Sequence, residues 1–323
     1  MSGENIVYGI LVSFAIVVVL MPAFIRLLKR LGMGKRIRLE GPETHYAKEG
    51  TPTMGGLLVV LVVLGIAALL ELTGNGFIDA STAAPLAALA LVGVLGTADD
   101  WLNARTGDGI SATQKLLWQT AVAGFAAWQI QDTYQITALA VPFVGAVGIP
   151  ALVFILIAAF AIVATSNAVN ITDGLDGLSG GTLIFAFTGY MVIAYSFGQP
   201  NLAVLCALII GGIAAFLWFN VHPAQIFMGD AGSLSLGATL AVTAVITGQV
   251  LLLPLIGLVF VLETGSVILQ IASVKARGRR LFKMSPLHHH FELVGWKEPQ
   301  IIIRFWIIAV IFALFSLTTL KLR

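Results

Sequence analysis

The chain has 323 residues, 58% of them hydrophobic and only 11% charged, with a formal net charge of +2. Soluble domains carry about 25% charged residues, so this composition excludes a water-soluble protein, and no nucleic-acid partner is expected. Apolar runs of about 17–25 residues recur, each long enough for a helix to cross a bilayer, without the alternation of barrel strands. The expected fold is an all-α polytopic membrane protein of about ten spans, a single integral-membrane domain over residues 1–323.

The first expected span, 6–28, follows an acidic leader, MSGEN, and no small-residue cleavage site follows the apolar run. It is therefore expected to remain as a helix rather than leave as a signal peptide. The loop 29–53 ends in HYAKEGTPTMGG (45–56), where His45 and Lys48 can meet an anion and Thr53 belongs to a tight, hydroxyl-bearing helix entry. A purely topological basic loop is the plainer alternative. Short spans follow at 54–70 and 84–98.

The second of these runs into LGTADDWLNARTGDGISATQK, with Asp99 and Asp100 adjacent at the helix exit. Neighbouring carboxylates are costly unless a cation or metal keeps both ionised; Arg105 and Lys115 are the partners at hand for a solvated helix end. Span 116–131 precedes DTYQITALAVPFVGAVG (132–148), whose Pro142, Gly145 and Gly148 discourage a helix and whose alternation suits a short hairpin.

Span 149–166 leads into SNAVNITDGLDGLSGG (166–181). Asn170, Asp173 and Asp176 share a face if the helix continues, while Gly174 and Gly177 suggest a strained turn instead. The spacing is not that of a calcium loop, and the chain has no G-x-x-x-x-G-K-[ST] phosphate loop. Spans 180–197 and 201–219 follow, the latter holding the single cysteine, Cys206, as apolar filler.

In IFMGDAGS (226–233), Asp230 lies between Gly229 and Gly232, and Ser233 is expected near the cap of span 233–248. The start of that span favours an anion. Span 250–273 carries Glu263 and Gln270 seven residues apart, on one face. An ionisable residue within a span is a functional candidate by default; a structural link between helices is the alternative. The loop 274–300 has five Lys or Arg within 275–283, a pattern that binds anionic headgroups. It also has His288, His289 and His290, which as consecutive residues do not point at one zinc site. The last span is 301–320.

Ten spans put both termini on one side. The loops 29–53, 99–115, 167–179, 220–232 and 274–300 then share the other face, which holds 16 of the 18 Lys and Arg once Arg26 and Arg304 are included. Positive residues stay cytoplasmic, so the termini are expected outside and the five polar loops inside. Aspartates from three of those loops, without a full protein cage, suit Mg²⁺ shared with substrate phosphates. An ion-coupled transporter is the rival class, but its sites belong near the bilayer midplane, where only Glu263 lies.

Taken together, KEGTPTMGG (48–56), ADDWL (98–102), QKLL (114–117), NAVNITDGLDGLSGG (167–181), FMGDAGSL (227–234) and SPLHHHFELVGW (285–296) resemble the phospho-N-acetylmuramoyl-pentapeptide transferases, in order along nearly the whole chain. The resemblance implies a bacterial inner-membrane enzyme. Its reaction moves phospho-MurNAc-pentapeptide from UDP-MurNAc-pentapeptide to undecaprenyl phosphate, giving lipid I and UMP with Mg²⁺ as cofactor and a homodimer as one option. A sibling transferase using another UDP-N-acetylhexosamine is the alternative, which the HHHFE segment disfavours.

Carried over by position, Asp230 is implied as the metal ligand, Asp99 and Asp100 as the acidic pair with Asp99 as base, and Asp173 and His288 as further catalytic-site residues. Lys48, Thr53, Lys115, Asn170, Asp176, Asn220, Phe227, Gln270 and His289 are implied as substrate contacts, with Phe227 stacking on uracil. Relatives commonly have Lys where this chain has Asn103.

Overall fold

The structure is a computed structural model that describes residues 3–34 and 50–320. The expected contacts His45 and Lys48 lie outside the described residues. In chain order the elements are α1 (Gly3–Arg30), α2 (Gly55–Leu72), α3 (Ala83–Thr106), α4 (Ala112–Tyr134), β1 (Ala138–Val141) and β2 (Gly145–Gly148). They continue as α5 (Ala151–Thr172), α6 (Leu178–Ser196), α7 (Pro200–Asn220), α8 (Gly229–Ile246), α9 (Leu253–Ile256), α10 (Leu258–Arg277), α11 (Leu287–Val294) and α12 (Glu298–Thr318).

Among the described residues, nine helices are long and apolar enough to cross a membrane: α1, α2, α3, α5, α6, α7, α8, α10 and α12. The expected span at 116–131 is α4, which is more polar, with Gln114, Lys115, Gln119, Gln129, Gln131 and Asp132. Geometry nonetheless makes it a crossing helix. Its first turn meets the end of α3 and the start of α8, while the end of α5 meets that same start. α4 therefore runs away from that face and α5 returns to it, and 23 residues at 1.5 Å each span about 34 Å.

Three boundaries differ from expectation. The span at 250–273 is broken: a 3-10 turn at Val250–Leu252 and the single turn α9 end at Gly257 before α10 begins. Pro254 sits in the first turn of α9, where a missing N–H costs little. The inner loop 274–300 contains α11, which follows Pro286 and stops at left-handed Gly295 (φ 103°). α3 and α5 extend past the apolar runs, so Asp99, Asp100 and Asn170 are on helices and not in loops. The hairpin expected within 132–148 is present, with Ala138 opposite Gly148 and Val141 opposite Gly145.

The centre of the bundle is α8, where every residue from Ala231 to Ile246 is buried, against α2, α3 and α5 among others. Lipid tails are as apolar as leucine, so helices in a membrane associate through close packing of small residues. A Cβ at Gly96 of α3 would lie 2.2 Å from the Asp230 carbonyl oxygen, and one at Gly56 of α2 would lie 2.3 Å from Gly232 Cα. The buried hydroxyls of Ser235, Thr239 and Thr243 bond back to carbonyls one turn earlier (2.6–2.8 Å). This is how a polar group is satisfied where there is no water. The packing drives the start of α8 into the end of α3, which builds the site.

Candidate active site

Four helix ends meet in an acidic centre. Ser111 caps α4 in a capping box with Gln114, which fixes Lys115 in the first turn. The Lys115 ammonium donates to Asp99 Oδ2 at 2.7 Å and to Asp230 Oδ2 at 2.8 Å. Asp99 Oδ1 accepts the Ile110 N–H at 2.6 Å. Asn170, in the last turn of α5, donates to Asp230 Oδ1 and to Ser233 Oγ, both at 2.8 Å. Two carboxyl groups thus share one ammonium, and a divalent cation would add positive charge where the cluster is acidic.

Asp100 has a different task from its neighbour. Its Oδ1 accepts the Asp230 N–H at 3.2 Å and its Oδ2 the Ala231 N–H at 3.0 Å. α8 has no side-chain cap of its own at Met228, so a carboxylate from α3 caps it. The expected cap at Ser233 does not form: α8 starts four residues earlier, and Ser233 Oγ donates to the Gly229 carbonyl. Gly229 has a φ of 75°, and a Cβ there would lie 2.4 Å from Asp100 Oδ2 and 2.8 Å from Thr53 Oγ1. That contact brings Thr53 to the same centre.

A second group surrounds the turn after α5. Asp173 caps the end of α5 and accepts a hydrogen bond from Ser179 Oγ. Buried Asp176 donates its backbone N–H to Glu298 Oε1 (2.8 Å), and its Oδ2 lies 3.1 Å from His222 Nδ1 and accepts the Ala224 N–H at 3.1 Å. Asn220 accepts the Gly177 N–H at 2.9 Å and donates to the Ile226 carbonyl at 2.8 Å. Half-buried Phe227 is tied by its backbone to the Thr53 segment, donating to the Pro52 carbonyl and accepting from Gly55, both at 2.8 Å.

A third group lies on α10 and α11. Glu263 bonds His288, with 2.9 Å between Oε2 and Nδ1, and His289 Nδ1 lies 2.7 Å from Glu292 Oε2. His290 Nδ1 accepts the Lys283 N–H at 3.2 Å, so the three histidines have three separate partners and do not converge. Gln270 spends its amide on the backbone of Leu281 and Phe282 (2.9–3.1 Å) and orders the basic loop.

A cleft of about 350 Å³ opens on the first group, lined by the polar Lys115, Asn167, Asn170 and Asp230 and by the apolar Ile110, Ala112, Leu116 and Leu234. Asp99 and Asp100 do not line it. A hard cation needs few protein oxygens and shares the rest with water and phosphate; Asp230, facing the cleft, fits that demand. Asp176, His222 and Glu298 also bring three ligand atoms within 4.8 Å of one another, but an imidazole suits transition metals better than Mg²⁺.

His222, Glu292 and Glu298 were not among the expected site residues. Glu292 was legible as an i, i+3 partner of His289 within HHHFE. Glu298 meets Asp176 across 122 positions, which no local spacing signals.

Residues 82–248 match the family model described as Glycosyl transferase family 4, and residues 48–60 match phospho-N-acetylmuramoyl-pentapeptide-transferase signature 1. Curated proteins named phospho-N-acetylmuramoyl-pentapeptide-transferase are similar over nearly the whole chain. That of Desulfosudis oleivorans is 48% identical, covering 98% of this chain and 93% of its own. Those of Geobacillus kaustophilus and Geobacillus thermodenitrificans are 44% and 43% identical, each covering 98% of both chains.

Proposed function

The chain belongs to the phospho-N-acetylmuramoyl-pentapeptide-transferase family, and on that premise we propose that it transfers phospho-MurNAc-pentapeptide from UDP-MurNAc-pentapeptide to undecaprenyl phosphate. An oxygen of the lipid phosphate attacks the sugar-linked phosphorus of the donor. The phosphorus–oxygen bond to UMP breaks, and lipid I and UMP result. The observation that carries this reading is the Lys115 bridge between Asp99 and Asp230 at a cleft lined by both polar and apolar side chains. A phosphate on a prenyl chain joins the same two kinds of group.

Phosphoryl-type transfer asks chiefly for positioning and charge neutralisation. Lys115 supplies a fixed positive charge at the cleft, anchored by Asp99. Asn170 orients the Asp230 carboxylate, and Asp100 fixes its backbone. Asp230 is the ligand we assign to Mg²⁺, which when bound shields the donor's diphosphate. Asp99 holds Lys115 with Oδ2 and the Ile110 N–H with Oδ1 and does not line the cleft, so in this arrangement it acts first as the anchor of Lys115.

Asp173, Asp176, Asn220 and Phe227, with Thr53 alongside, form the side we assign to the UDP moiety, Phe227 offering a face for uracil. The positive-inside rule supports assigning the site to the cytoplasmic face, and family membership supports a bacterial inner membrane. The donor arrives there from water and the acceptor from the bilayer. Release of UMP from the muramoyl donor by the purified protein, dependent on undecaprenyl phosphate and Mg²⁺, tests the reading.

A further inference from the structure

Glu263 is fully buried on α10, inside a helix that spans the membrane, where an ionisable group is costly to keep. It has one set of partners. Oε1 accepts the His288 N–H at 3.2 Å, and Oε2 lies 2.9 Å from His288 Nδ1. One carboxyl oxygen engages the His288 backbone and the other its ring, which sets the orientation of the imidazole. The other ring nitrogen, Nε2, is buried and has no hydrogen-bond partner. It rests against Gly174, in the turn between Asp173 and Asp176. A Cβ at 174 would lie 2.2 Å from Nε2 and 2.7 Å from Cε1.

Gly174 does not have the left-handed φ that Gly177 has (83°). Its backbone would accept any residue. What excludes a side chain there is the imidazole, so the ring and the turn are fitted to each other. A contact chain therefore runs from α10 through α11 to the segment that carries two of the donor-side aspartates.

We propose that Glu263 is a positioning residue of the transfer reaction: through His288 and Gly174 it sets the Asp173–Asp176 turn in the geometry that receives the nucleotide donor. The inference rests on the transferase reading above. It makes Glu263 act on donor use and not on the lipid acceptor, whose cleft is lined by α4, α5 and α8.

The test uses the full-length purified protein, with UMP release measured against each substrate in turn, alongside thermal unfolding in detergent. Glu263→Gln keeps shape and one acceptor oxygen but replaces the other oxygen with an amide nitrogen. It should raise the donor KM about tenfold while the acceptor KM stays within about twofold and the unfolding temperature changes little. Gly174→Ala should give the same donor-selective loss from the other end of the chain. The double variant should lose less than the product of the two, because groups in contact are not additive.

Equal rises in both KM values, multiplicative losses, or a fall in unfolding temperature with unchanged donor KM would each overturn the proposal and leave Glu263 a structural link. A wild-type protein that releases no UMP from the muramoyl donor would instead overturn the transferase reading, and this inference with it.

Discussion

Asp100 holds Asp230 by the backbone, not by the side chain: its two oxygens accept the N–H groups of Asp230 and Ala231 at 3.2 and 3.0 Å. The adjacent carboxylates of ADDWL are thus divided in purpose. Asp99 anchors Lys115, and Asp100 caps the helix that presents Asp230.

This division predicts a graded response at position 100. Asp100→Ala removes both acceptors at a helix start, worth about 0.5–2 kcal/mol of stability, and releases the Asp230 backbone. Turnover should fall by about 100-fold and the Mg²⁺ concentration for half-maximal UMP release should rise. Asp100→Asn keeps an acceptor oxygen and should fall between Ala and wild type on both measures. Equal losses in the two variants with an unchanged Mg²⁺ response would mean that Asp100 takes part in the chemistry itself.

Lys115→Met removes the charge that bridges Asp99 and Asp230. Loss of one fixed charge or donor at a reacting phosphoryl group costs about 10²–10³ in kcat. The expected result is a loss in that range with a smaller change in donor KM, read from saturation curves. Lys115→Arg should recover part of the loss, since a guanidinium also spans two carboxylates. A Met variant with near-normal kcat would remove Lys115 from the mechanism.

Asp230→Asn should abolish Mg²⁺-dependent turnover while the protein still elutes as a folded membrane protein on size exclusion. Activity regained at saturating Mg²⁺ would argue against Asp230 as the metal ligand. Phe227→Ala should weaken donor use more than acceptor use, since base–aromatic stacking contributes about 1–3 kcal/mol. An unchanged donor KM would separate Phe227 from the uracil.

Gly96→Ala places a methyl group 2.2 Å from the Asp230 carbonyl oxygen, on backbone that cannot give way cheaply. Overpacking of this kind costs about 1–3 kcal/mol, so the unfolding temperature in detergent should drop and UMP release should fall with it. Gly65→Ala, on a face with nothing within 4 Å, should be silent in both assays.

The spans were legible because length and apolarity are properties of a single segment. The α9–α10 break was not, since Gly257 and Pro254 sit in a run whose composition stays apolar throughout. Asp99 and Asp230 stood out as aspartates beside another Asp or a glycine, Lys115 as a cation at hand for the acidic pair and Asn170 by its three-residue spacing from Asp173, and the fold joins them directly. What the sequence hid was division of labour. Nothing in the order Asp99-Asp100 says which oxygen faces an ammonium and which a helix start, because that depends on α8 arriving from 130 positions away. The same holds for Glu298 and His222, which reach Asp176 only through folding.

The most direct test of the central claim is UMP release by the detergent-purified protein with undecaprenyl phosphate and Mg²⁺, given UDP-MurNAc-pentapeptide or UDP-N-acetylglucosamine. Lipid-dependent UMP from the muramoyl donor alone is the predicted result. Release from UDP-N-acetylglucosamine alone, or from neither donor in a folded sample, would contradict the account.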